Sequence, residues 1–234
     1  MGKITVKHYL NKRFKPTIIK NVECFPVYIQ VIHNRINVQF KSFRIGKISE
    51  NDFNYFLNEL HNEMSSEKNI ITAIIEYKKD INLNEIPKIF DFYGKPLLNL
   101  LISEIGFYIS DKLSQKWIYK DLISILNYTD VNINNIFKIV EKYSKIQLEK
   151  FLNEKDVKLL NAIDIIENFM TFCSDNNDYF EKNCIIFWLN GQLFFEFDKY
   201  CVSKFIDNQN IKEIINNIVY KAEIQHFIFI NEFS

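Results

Sequence analysis

Over the first 45 residues apolar and polar positions alternate with a period of two. In "ITVKHYL", Ile4, Val6, His8 and Leu10 fall on one side and Thr5, Lys7 and Tyr9 on the other, the pattern of a half-buried strand. "FPVYIQVIHN" repeats it with Val27, Ile29 and Val31 against Tyr28, Gln30 and Ile32, and "INVQFKSF" sets Ile36, Val38 and Phe40 against Asn37, Gln39 and Lys41. Three strands are predicted, each with one apolar and one mostly polar face. His33, Asn34 and Arg35 stand where the second and third must reverse, and Asn tolerates the positive φ of a tight hairpin. Pro26 fits the first residue of a strand, where a missing N–H does no harm. The stretch from Asn11 to Cys24 reads as a long basic loop.

After Lys47 the period lengthens. "ISENDFNYFLNELHNEM" offers Ser49 as an N-cap with Asp52 three residues on, followed by Phe53, Phe56, Leu57 and Leu60 at helical spacing. This helix, laid on the apolar face of the sheet, closes a β-β-β-α unit. "NIITAIIEYKKDI" fits strand or helix equally. In "IPKIFDFYGKP", Pro87, Gly94 and Pro96 mark a linker. Beyond it, helices are predicted at 95–113, 119–129, 132–152, 154–173 and 208–224, and Asn190-Gly191 between two apolar runs predicts a β-hairpin. The fold class is therefore α+β: a small three-stranded antiparallel sheet plus helix, then a mostly helical body with a C-terminal β-hairpin. The domains read as a basic module at 1–62, a connecting segment at 63–96 and an acidic helical body at 97–234.

Charge sharpens that division. Residues 1–47 hold ten cations, including all three arginines, against the single anion Glu23, a net +9; the remainder holds 19 cations and 28 anions, a net −9. Such asymmetry suggests a part that faces nucleic acid or membrane joined to an acidic part. No apolar run reaches the ~18 residues needed to span a bilayer, and no signal peptide is evident, so the chain reads as soluble and cytoplasmic. Apolar residues at 47%, with 22 Phe and 12 Tyr, supply ample core.

The polar face of the sheet, Thr5, Lys7, Tyr9, Tyr28, Gln30, Asn37, Gln39 and Lys41, mixes amides, hydroxyls and cations without a carboxylate. These groups hydrogen-bond phosphates and base edges. "KDLISILNYTDVNINNIFKIVEK" has the outline of a helix-turn-helix, but it lacks the turn Gly and carries few cations, so a helical hairpin fits better. Glu76 and Lys78 after "AII", with Asp52 upstream, are the residue types of a metal-dependent nuclease. Cys173, Cys184, Cys201 and His226 contain no close pair of the kind zinc sites use, and the four cysteines read as reduced core residues. Loops of the G-x-x-x-x-G-K-[ST] and G-x-G-x-x-G types are absent. No catalytic residue, metal ligand or cofactor is assigned.

"KITVKHYLNKR", "FPVYIQVIHNR" and "INVQFKS" together resemble the N-terminal arm-type DNA-binding module of tyrosine recombinases (the phage-integrase family) of Bacteroidetes and their mobile elements, over about residues 3–60. The resemblance implies a three-stranded sheet and helix with the sheet in the DNA major groove. The recombinase catalytic domain is not implied, because its arginine pair has no counterpart after Arg44 and that chemistry relies on cations at the scissile phosphate. The expectation is a non-catalytic protein of a bacterial chromosome or mobile element that binds duplex DNA through Lys7, Tyr9, Lys12, Arg13, Lys15, Gln30, Arg35, Asn37, Gln39, Lys41 and Arg44. The acidic body would bind a protein partner or self-associate. The alternative is an assembly component in which the basic module meets an acidic surface, and the third reading is the nuclease.

Overall fold

The computed structural model describes residues 2–55, 57–114, 153–175 and 183–232. They belong to two compact units, one formed by Met1–Gly94 with Cys184–Gln192 and the other by Lys95–Asn183 with Leu193–Ser234. The described strands are β1 (Thr5–Leu10), β2 (Thr17–Ile19), β3 (Val22–His33), β4 (Ile36–Lys41) and β5 (Lys47–Ser49). The described helices are α1 (Glu50–Tyr55), α2 (Leu57–Tyr77), α3 (Ile86–Tyr93), α4 (Leu97–Ser114), α5 (Glu154–Asp175), α6 (Ile185–Leu189), α7 (Gln192–Ser203) and α8 (Gln209–Glu232).

In the first unit all five strands are antiparallel and all four partners pair with β3. The C-terminal half of β3 lies between β1 and β4, as the alternation predicts. Its N-terminal half lies between β2 and β5, which the three-strand expectation omits. Each of these has three residues, too few for a period of two to register. The segment expected as a basic loop therefore contains a second hairpin, turned by Lys20 and Asn21 at φ 48° and 63°. Asn34 and Arg35 turn the β3–β4 hairpin in the same way at φ 50° and 67°. Two successive positive φ values match the right-handed twist of the flanking strands.

Pro26 is the fifth residue of β3 rather than its first. It stands where β3 changes neighbours: Pro26 pairs with Lys47 of β5, while Val27 pairs with Leu10 of β1. A residue with no N–H interrupts least at such a handover.

Ser49 caps α1 as its sequence spacing suggests. Its Oγ accepts from the Asp52 N–H at 3.0 Å and donates to the Asp52 carboxylate at 2.7 Å. The ambiguous "NIITAIIEY" is helical and completes α2, which runs unbroken across position 62. Residues 63–94 thus belong to the first unit and do not form a connecting segment. The "linker" itself holds α3, with Pro87 in its first turn, where proline is tolerated. At Gly94 a Cβ would stand 2.9 Å from the Phe90 carbonyl oxygen, so the chain leaves α3 through a position that only glycine fills without displacement.

The inner sheet face buries Val6, Val27, Ile29, Val31 and Val38. Ile70, Ile71, Ile74 and Ile75 of α2, Ile86, Ile89 and Phe90 of α3, and Ile185, Phe187 and Trp188 of α6 are buried in the same unit. Phe43 stacks on Phe90 with ring centroids 3.9 Å apart.

The second unit is helical in its described part. α4, α5 and α8 pack against one another, and Phe169 of α5 meets Phe197 and Tyr200 of α7 at 5.2 and 5.4 Å. Asp198 joins α7 to α8 through an ion pair with Lys212 and a bond from Asn208. Helices predicted at 95–113, 154–173 and 208–224 are observed as α4, α5 and α8. Those at 119–129 and 132–152, with the helix-turn-helix candidate, lie outside the described residues. The predicted C-terminal hairpin is instead α6, a turn and α7. Gly191, at φ 85°, follows the α6 C-cap, and the Asn190 carbonyl oxygen of the side chain accepts from the Gln192 N–H. Asn-Gly ends a helix as readily as it turns a hairpin, and a short continuous apolar run such as "IIFWL" suits a buried helix or a buried strand.

Candidate nucleic-acid interface

Cross-strand register arranges the outer face of β1, β3 and β4 into three rows. Thr5, Ile32 and Asn37 form the first, Lys7, Gln30 and Gln39 the second, and Tyr9, Tyr28 and Lys41 the third. Eight of these nine residues are those assigned to the polar face from alternation alone, Ile32 being the apolar exception, and none is acidic. Within the face, Tyr9 donates to the Gln39 side-chain carbonyl at 2.9 Å and the Gln30 amide donates to Asn37 at 3.1 Å. These bonds fix the amide planes and leave the Gln39 NH₂ and the Gln30 carbonyl directed to other partners. Partial burial raises the Tyr9 phenol above its ordinary value, with Arg13 pulling it down and Tyr28 adding to the rise. The phenol is accordingly a neutral donor at physiological pH.

The loop after β1 places Arg13 and Lys15 beside the face and exposes both. Asn11 shapes the loop: it is buried, its N–H bonds the Pro26 carbonyl, and its side chain accepts from the Arg13 N–H. Arg35 is exposed at the tip of the β3–β4 hairpin. Among the described residues, ion pairs in this unit involve His8, Lys12 and Arg44. Lys7, Arg13, Lys15, Arg35 and Lys41 have no carboxylate partner among these residues.

Two of the sequence-assigned cations are engaged. Lys12 bonds Glu50 at 2.6 Å in an exposed pair. Arg44 turns to α2, donating to Ser66 at 2.8 Å with Glu63 at 3.5 Å. It is not part of the outer face, because it lies in the loop after β4 that α2 anchors.

That anchor is Glu67, a residue sequence patterning does not single out. Fully buried, its carboxylate accepts from His8 at 2.8 Å, from the Ser42 hydroxyl, and from the Phe43 and Arg44 N–H groups at 2.6 and 2.8 Å. Burial alone would raise the carboxyl, but bonds from His8, Ser42 and Arg44 outweigh it and hold Glu67 below the ordinary carboxylate range. Glu67 thereby locks β1 and the loop after β4 onto α2 and sets the sheet's inner side.

The nuclease constellation does not assemble. "AIIEYKK" is the end of a helix, with Glu76 exposed and Lys78 over the Tyr77 and Tyr93 rings. From Leu57 to Glu76 the helix extends about 28 Å, and because Asp52 to Tyr55 is itself helical the chain reaches back from Leu57 to Asp52 by at most about 12 Å, so Asp52 and Glu76 cannot share one metal ion. Among the described residues no three His, Cys, Asp or Glu side chains converge on a metal site. Cys173, Cys184 and Cys201 are buried thiols pushed up to about 11, chiefly by burial, which makes them poor nucleophiles. No described helix is long and apolar enough to cross a membrane. No protein-family model, curated protein or solved structure matches the chain.

Proposed function

We propose that the protein binds duplex DNA through the outer face of β1, β3 and β4. The observation that carries this reading is a nine-position face of amides, hydroxyls and cations, with Ile32 its one apolar member and no acid, bordered by exposed cations that have no carboxylate partner among the described residues. Lys7, Arg13, Lys15, Arg35 and Lys41 contact phosphates, and Tyr9, Gln30, Asn37 and Gln39 lie nearer the bases. Lys12 joins them on exchanging Glu50 for a phosphate, while Arg44 stays with α2. From β1 to β4 the face spans about 10 Å, comparable with the ~12 Å width of the major groove. The likeness to the arm-type module of tyrosine recombinases points the same way.

Phosphate contacts release counterions, so affinity for duplex DNA should fall steeply as salt rises. Fluorescence anisotropy of the full chain with labelled duplex at several salt concentrations tests this. Binding that is absent at low salt, or indifferent to salt, would contradict it and direct attention to a protein partner for the same face.

A further inference from the structure

One edge of the sheet face opens into a depression of about 530 Å³ lined by Phe14, Lys15, Pro26, Tyr28, Lys41 and Lys47. This volume is that of a small-ligand cleft. Its chemistry is unusual for an incidental surface hollow: three of six lining residues are lysines and none is acidic. Among the described residues Lys15 and Lys41 have no carboxylate partner, and Lys47 donates to the Thr17 hydroxyl at 2.7 Å. The Phe14 and Tyr28 rings lie within 22° of parallel at 5.9 Å. Phe14 is 53% exposed, a large apolar ring held at the surface beside cations.

Flat rings together with several ammonium groups match a ligand that has a flat face and negative charge, which is the chemistry of a nucleotide. A base inside a continuous duplex cannot offer its face, because both faces are already stacked. Tyr28 and Lys41 belong to both the depression and the sheet face, so a strand leaving a groove-bound duplex would reach it directly. We propose that the depression holds one unpaired nucleotide of a DNA strand, its base on Phe14 and Tyr28 and its phosphates among Lys15, Lys41 and Lys47. The inference rests on the duplex-binding reading above and adds to it a preference for a duplex that ends in a single strand.

The test compares a blunt duplex with the same duplex bearing a four-nucleotide overhang, using the full chain and a Phe14→Ala variant. The expected result is tighter binding of the overhang DNA by roughly five- to hundredfold, the range of one base–aromatic stack. In the variant the ratio of the two affinities should collapse towards one, and Phe14→Trp should restore it. Equal affinities in the unaltered protein, or a ratio that survives Phe14→Ala, would overturn the inference while salt-dependent blunt-duplex binding kept the wider reading intact. Binding of neither DNA would bring down both. A free deoxynucleoside monophosphate, bound as tightly as the overhang gains, would reassign the depression to a small molecule and contradict the strand-borne nucleotide.

Discussion

Alternate residues of the same three strands build the two faces of the β1–β3–β4 sheet, and the faces treat charge in opposite ways. On the inner side the fully buried Glu67 is met by four donors drawn from β1 and the loop after β4. On and beside the outer face Lys7, Arg13, Lys15 and Lys41 are left without carboxylate partners. A buried charge is tolerable only when its hydrogen bonds are complete, whereas exposed lysines add little to stability. The charges that hold this unit together and the charges proposed to meet DNA are therefore separate sets, which substitution can separate experimentally.

The largest effect should come from the inner side. Glu67→Ala strands the Ser42 hydroxyl and two backbone N–H groups in the interior and should destabilise the protein by about 3–5 kcal/mol, read from urea denaturation. Glu67→Gln, which keeps the volume and part of the bonding, should cost less. Should Glu67→Ala leave the urea midpoint in place, the central role given to this carboxylate would be lost.

Acid should probe the same group. Glu67 titrates lower in the folded chain than its ordinary 4.5, so the unfolded chain binds the proton first as pH falls. Its stabilisation is therefore complete above about pH 4.5 and is lost as pH drops through the lowered value. Denaturation midpoints measured from pH 7 down to pH 3 should fall more steeply for the unaltered protein than for Glu67→Gln. Parallel curves would mean that other carboxylates govern acid sensitivity.

Arg44 sharpens the division, since it lies in the basic segment but is bonded to α2. Arg44→Ala should lower stability by about 1 kcal/mol, the scale of a side-chain hydrogen bond, and leave the salt dependence of DNA binding unchanged. A slope that flattens as much as for a Lys7→Ala variant would place Arg44 in the ligand set.

Legibility in the sequence follows range. The two faces of β1, β4 and the C-terminal half of β3 are readable because six or seven residues suffice to display a period of two. The Asn34 turn and the Ser49 cap are readable because both are local. β2 and β5 are not, although Asn21 after Ile18 and Ile19 carries the same turn signal as Asn34. Glu67 reads as one more polar residue of a helix, and its importance depends on His8, 59 positions away. For the candidate interface, sequence places Lys7, Gln30, Gln39 and Lys41 on one face. It cannot show that Lys12 is paired with Glu50 or Arg44 with Ser66, because those partners are brought in by tertiary structure. The Asn190-Gly191 turn is legible as a turn, but the elements it joins are not.

The most direct test is the salt dependence of duplex binding by a Lys7→Ala/Arg13→Ala/Lys15→Ala/Lys41→Ala variant of the full chain, alongside its urea denaturation. With each phosphate contact contributing about 0.9 to the slope of log affinity against log salt, the slope should flatten by roughly three to four units, while stability changes by no more than about 0.5 kcal/mol per substitution. A slope equal to that of the unaltered protein, in a variant that folds as stably, would contradict the assignment of the outer sheet face to DNA.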